Sequence, residues 1–241
     1  MDSSGLTKRS KRPSILGSSV GKKAITGLTG LALVGFVIGH LVGNLTLFLG
    51  PDAFNGYAHF LESLGHGFGI YIAEAGLIAL FLAHIVSAVS VAVVDKRNAR
   101  AVGYRYSRDA KGKSRKTLAS KTMIYTGTLI LIFVVVHIRL FKYGRHDVGP
   151  DGVKNLYKTV VTEFQNPYFM VATVIAMILL GFHIRHGFWS AFQSLGLSND
   201  RYIDVLIRIG IALAVMLTLG FSALAVVLFL WGNPSAAVGG H

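Results

Sequence analysis

Cysteine is absent from the 241-residue chain. That excludes a disulfide framework, a thiolate nucleophile, a Cys-ligated iron–sulfur cluster and a covalently attached c-type haem. Acidic side chains are also scarce: 11 Asp and Glu stand against 24 Lys and Arg. All four charged types make up 15% of the residues, well under the roughly one quarter of a soluble domain. No glycine-rich dinucleotide fingerprint is present, so no flavin or nicotinamide module is expected. Apolar residues reach 52% and gather in long blocks rather than alternating stripes. A soluble protein, a disordered chain and a collagen-like repeat are excluded, and an all-α integral membrane protein is expected.

Five blocks meet the roughly 20 apolar residues that a helix needs to cross a bilayer: Leu28–Leu49, Ile70–Val94, Met123–Phe141, Tyr168–Phe188 and Val205–Trp231. Between them lie Gly50-Pro51, a Lys/Arg-rich run after Asp95, Gly149-Pro150, Asn166-Pro167 and Ser198-Asn199-Asp200, all helix-breaking signals. The chain divides into a basic tail over 1–21, a five-helix membrane domain over 22–231 and a short tail over 232–241. Sixteen of the 24 cations lie in the first tail with Lys22 and Lys23 just after it, and in the second connection. The first connection and the C-terminal tail have none. The positive-inside rule therefore predicts a cytoplasmic N-terminus and an external C-terminus. The same rule, with anionic headgroups, accounts for the net charge of +13 without nucleic acid.

His40, His84, His137 and His183 fall one each in the first four spans, and the fifth has none. Ionisable side chains at such depth are rare and mark functional sites. Counted along the helices, His40 and His137 share a level near the outer face and His84 and His183 one near the inner face, the levels roughly 12–15 Å apart. A zinc or copper site gathers its ligands at one depth. Two pairs at two depths match two bis-histidine haems, which have no open position for oxygen and serve as electron carriers. Gly35, Gly39 and Gly43 beside His40, Ser87 and Ala88 after His84, and Gly187 after His183 would admit a flat macrocycle. For the first stripe, plain helix packing reads equally well.

The segments GHLVGNLTLF, HIVSAVSVAVVDKRNAR, SKTMIYTGTLILIFVVVHIRLF and GFHIRHGFWSAFQSLGL resemble the cytochrome b membrane anchor of succinate:quinone oxidoreductase, in its single-chain, two-haem form. The resemblance runs from about Lys22 to Trp231. It implies two haem b, a distal one on His40 and His137 and a proximal one on His84 and His183. His186 could replace His183, although a propionate or headgroup contact suits its position better. Arg139, Lys142 and Arg185 are expected near propionates, or snorkelling at the helix ends. The resemblance further implies a flavoprotein subunit and an iron–sulfur subunit docked on the cytoplasmic side, and leaves room for a higher oligomer of that heterotrimer. It places the chain in a prokaryotic cell (inner) membrane.

Quinone chemistry needs a lipid-accessible pocket and proton carriers. The candidates are Glu62, Glu74 and His66 with Arg139, and Glu74 could instead form a structural pair with Arg139. Menaquinone is the common partner of two-haem anchors. Some fumarate-reducing members carry a glutamate two residues before the fourth-span ligand; Gly181 stands there instead, which tilts the expected direction toward succinate oxidation. Two alternatives stay open: a two-haem anchor of a hydrogenase or formate dehydrogenase, and a proton-relay transporter.

Overall fold

The computed structural model of the chain describes residues 18–95, 118–144, 148 and 154–232. Most of the basic tail, the basic second connection over 96–117, His146 and His241 lie outside the described residues. So does the C-terminal tail beyond Gly232.

Among the described residues seven α-helices follow in order: α1 Ser19–Asn44, α2 Pro51–Ser63, α3 Phe68–Val89, α4 Leu118–Phe141, α5 Leu156–Phe164, α6 Pro167–Ser194 and α7 Ile203–Trp231. No β-strand occurs among the described residues; an isolated bridge joins Val148 and Lys154. Five helical segments are long and apolar enough to cross a membrane: Ser19–Leu49, Phe68–Val93, Thr122–Phe141, Pro167–Ser194 and Ile203–Trp231. The expected five spans are present. All five begin earlier than the apolar blocks, the first by nine residues and the others by one or two; at the first and fourth a side-chain cap rather than hydropathy sets where the helix starts.

Those caps are local chemistry. The Ser18 hydroxyl accepts from Gly21 N–H at 3.1 Å, and the Asn166 side chain accepts from Tyr168 N–H at 2.9 Å ahead of Pro167. At the other end of α1 the chain tightens into a 3-10 turn over Leu45–Leu49. It then reverses at Gly50, whose φ of 99° is open to glycine at little cost.

The two short helices α2 and α5 were not expected. Both lie in connections, and they pack on each other across the ends of the spans. Asn55 of α2 donates to the Asn155 side chain at 3.1 Å and accepts from Tyr157 N–H at 2.9 Å.

The long helices are arranged unevenly. α1 packs on α3 and on α6, α4 packs on α6, and α7 lies along α6. Around the four-helix group the order is therefore α3, α1, α6, α4. The dense apolar core is off-centre, where Leu41 of α1 and Ile184 of α6 meet Ala214, Leu217, Leu224 and Leu228 of α7 and Val160 and Val161 of α5. By contrast, Ser87 is the buried residue of α3 and Thr126 that of α4 among the described side chains. Elsewhere the spans expose large apolar side chains in numbers, such as Ile72, Leu82, Ile132 and Leu219, as a lipid-facing surface requires.

Candidate haem-type histidine site

Because α1 and α4 face each other diagonally, as do α3 and α6, inward side chains on those helices meet on the bundle axis. His40 and His137 do so across the first diagonal, with ring centroids 5.8 Å apart and planes at 86°. His84 and His183 meet across the second at 6.4 Å and 68°. Two imidazoles bound end-on to one metal through bonds of about 2.0–2.1 Å hold their centroids about 6 Å apart. Both pairs therefore have the spacing of two ligands sharing one ion. Among the described residues no group of three or more His, Asp, Glu or Cys could hold a metal.

His84 reaches α1 at Thr26 and Thr29, and His183 reaches α4 at Thr126. From Thr29 to His40 and from Thr126 to His137 the chain advances the same eleven residues, about 16 Å of helix axis. Two helices thus give one separation between the levels, slightly more than counting from the span ends suggests.

The environments differ. In the pair nearer the start of α1, His84 Nδ1 lies 3.2 Å from both the Thr26 carbonyl and Thr29 Oγ1. His183 Nδ1 lies 3.2 Å from Thr126 Oγ1. The far pair sits among aromatics. His40 stacks on Phe36 at 5.6 Å and lies 5.8 Å from Phe221; His137 lies 5.8 Å from Phe133 and 4.9 Å from Phe141. Asn44 donates to the His40 carbonyl at 2.8 Å and approaches its ring at 3.4 Å.

Small residues shape the ring seats. A Cβ built on Gly30 would stand 3.1 Å from His84 Cε1, and one on Gly127 would stand 3.3 Å from His183 Cε1. Sequence reasoning missed Thr29, Gly30, Thr126 and Gly127. The signal was present: a Thr-Gly step whose threonine stands eleven residues before the histidine occurs in both the first and third spans.

The remaining candidates fall as follows. A Cβ on Gly35 or Gly39 would meet nothing within 4 Å, so among the described residues nothing packs closely there, whereas Gly43 receives the Tyr57 ring of α2. Ser87 accepts from the Thr26 hydroxyl at 2.7 Å and ties α3 to α1. The ring facing His84 is that of His183; His186 lies instead against Trp189 at 5.1 Å, with its Nδ1 buried and unbonded. Glu74 forms its ion pair with Lys142, while Arg139 donates to the Tyr143 carbonyl at 2.8 Å. Glu62, at the end of α2, and His66 are exposed. His66 occupies a left-handed turn, φ 56°, between Gly65 and Gly67. Arg185 is exposed on α6.

Fold and site define a class: an all-helical membrane protein that faces two imidazole pairs across the diagonals of a four-helix group. Within that class the chain is similar to the succinate dehydrogenase cytochrome b558 subunit of Bacillus subtilis (strain 168). It is 27% identical to that protein over 180 residues, covering 73% of this chain and 80% of the relative. No family model and no solved structure matches the chain.

Proposed function

We propose that the chain is the membrane-anchor cytochrome b of a succinate dehydrogenase, that is, of respiratory complex II. The observation that carries this is the pair of imidazole pairs at two depths, each with the spacing of two ligands on one ion; the similarity to a cytochrome b558 subunit agrees with it. His40 with His137 and His84 with His183 would each hold one haem b, which supplies a one-electron centre with both axial positions taken. The donors suit that role: neutral nitrogens from helices that the fold itself brings into register, and no third ligand beside either pair among the described residues.

The chain's own contribution is positioning. Aromatic rings around His40 and His137 exclude water from the far level, and hydroxyls orient the near one. Electrons would enter from an iron–sulfur subunit at the cytoplasmic, cation-rich end, itself served by a flavoprotein subunit. They would leave to a membrane quinone, menaquinone in the first instance, at the far end. There Glu74 with Lys142, and the α2–α3 turn with Glu62 and His66, lie within reach of lipid. Gly181 favours succinate oxidation as the working direction. The Thr218 hydroxyl of α7 occupies the place where a side chain at 181 would begin, so a carboxylate side chain there would first have to displace it.

The test is an absorption spectrum and haem quantitation on the complex purified from membranes, followed by addition of succinate. The expected result is two b haems per chain, reduced by succinate and reoxidised by added quinone. Reduction by hydrogen or formate alone would transfer the anchor to another dehydrogenase, and a preparation with neither Soret band nor iron would point to a proton-relay transporter.

A further inference from the structure

The near imidazole pair is held by hydroxyl groups whose direction of hydrogen bonding can be worked out. A threonine hydroxyl has one proton. Thr29 Oγ1 lies 2.7 Å from the Ile25 carbonyl of its own helix, an acceptor only. Thr126 Oγ1 lies 3.1 Å from the Met123 carbonyl and 3.2 Å from that of Thr122. With its proton given to a carbonyl of its own helix, each oxygen has only lone pairs left for a partner. That partner is an imidazole Nδ1 in both cases, His84 for Thr29 and His183 for Thr126, both at 3.2 Å. An oxygen that can only accept requires the proton to be on Nδ1, which places the ring's lone pair on Nε2. For His84 the Thr26 carbonyl, also an acceptor at 3.2 Å, makes the same demand.

We propose that Thr29 and Thr126 are paired positioning residues, each fixing the tautomer and the seat of a histidine on the neighbouring helix so that Nε2 is presented to the metal. This deepens the haem reading and rests on it. Three observations converge. Each threonine is buried. Each is followed by a glycine against which the same histidine ring lies, Gly30 and Gly127. Each stands eleven residues before the histidine that its own helix gives to the other level. The first and third spans thus carry the same two-level device: a hydroxyl and a notch for one haem, an imidazole for the next. Accepting from Nδ1–H also raises the electron-donating power of the ligated ring, which favours oxidised iron. The two threonines would therefore lower the reduction potential of the near haem and leave the far one untouched.

The experiment uses the whole complex in membranes and after purification, comparing Thr29→Val and Thr126→Val with Thr29→Ser and Thr126→Ser. Haem content, the midpoint potential of each haem and the low-spin EPR signal are read out. The valine variants should raise the potential and move the EPR signal of the same single haem, or lose that haem alone. The serine variants should restore wild-type values. Unchanged potentials and spectra in both valine variants overturn the proposal. So does an equal shift of both haems, which marks a general disturbance, or a serine variant that behaves as its valine counterpart. A wild-type complex without b haem is a different result, because it removes the underlying reading rather than the role of the threonines.

Discussion

Within one turn of α6 two histidines compete for a single role, and their surroundings separate them. His183 and His186 are three residues apart on one helix, a spacing that leaves both near the interior face. Only His183 faces His84, and only His183 has Nδ1 bonded to a hydroxyl on a neighbouring helix. His186 packs edge-on against Trp189. Replacing His183 by Ala should therefore reduce haem to one per chain while the far centre persists. Replacing His186 by Ala should retain both haems, with at most a modest spectral shift. Haem quantitation by pyridine haemochrome checks this, and loss of a haem from the His186 variant with retention in the His183 variant would reverse the assignment.

Between elements, the α6–α7 seam shows how a membrane helix pair is held when hydrophobic burial adds little. Lipid tails are as apolar as leucine, so close backbone approach and interhelical hydrogen bonds carry the association. Gly181 permits both. The Thr218 hydroxyl sits against it and donates to the Met177 carbonyl of α6 at 3.1 Å. Gly181→Ala should destabilise the purified complex by about 1–3 kcal/mol through overpacking. The double change with Thr218→Ala should recover part of that loss, because the obstructing oxygen is gone. Gly56→Ala on α2, where a new Cβ meets nothing within 4 Å, should be neutral or slightly stabilising. Thermal inactivation curves of the four proteins test the set, and a Gly181→Ala protein as stable as wild type would sink the packing argument.

How far such elements can be read in advance depends on which force places them. Spans were legible because hydropathy over about 20 residues is a one-dimensional signal. The pairing of four histidines by depth was legible because helix rise converts residue number to distance. The helices α2 and α5 were not, since their short, mixed sequences are stabilised by one another through Asn55 and Asn155, a hundred residues apart. Nor was the partner of Glu74, since Arg139 and Lys142 are one turn apart and only the approach of α3 selects Lys142.

At the scale of the whole molecule, the charge distribution and the site give one direction. The basic tail with Lys22 and Lys23, together with the second connection, carries sixteen cations, each worth about 1 kcal/mol beside an anionic leaflet, while the far end nearly balances. Along the sequence there, Lys142, Arg145, Lys154 and Lys158 are offset by Asp147, Asp151 and Glu163. The near imidazole pair lies toward the cation-rich end, because His84 reaches α1 only eight to eleven residues after Ser18. If that end is cytoplasmic, the near level is the one a cytoplasmic electron donor meets first. The absence of native cysteine makes this directly measurable, since any introduced thiol is the only one in the chain. Ser63→Cys at the exposed end of α2 should react with a membrane-impermeant maleimide on intact cells. Ser114→Cys in the second connection should react only after permeabilisation. The opposite pattern would invert the protein in its membrane and place the far, aromatic-lined pair beside the electron donor.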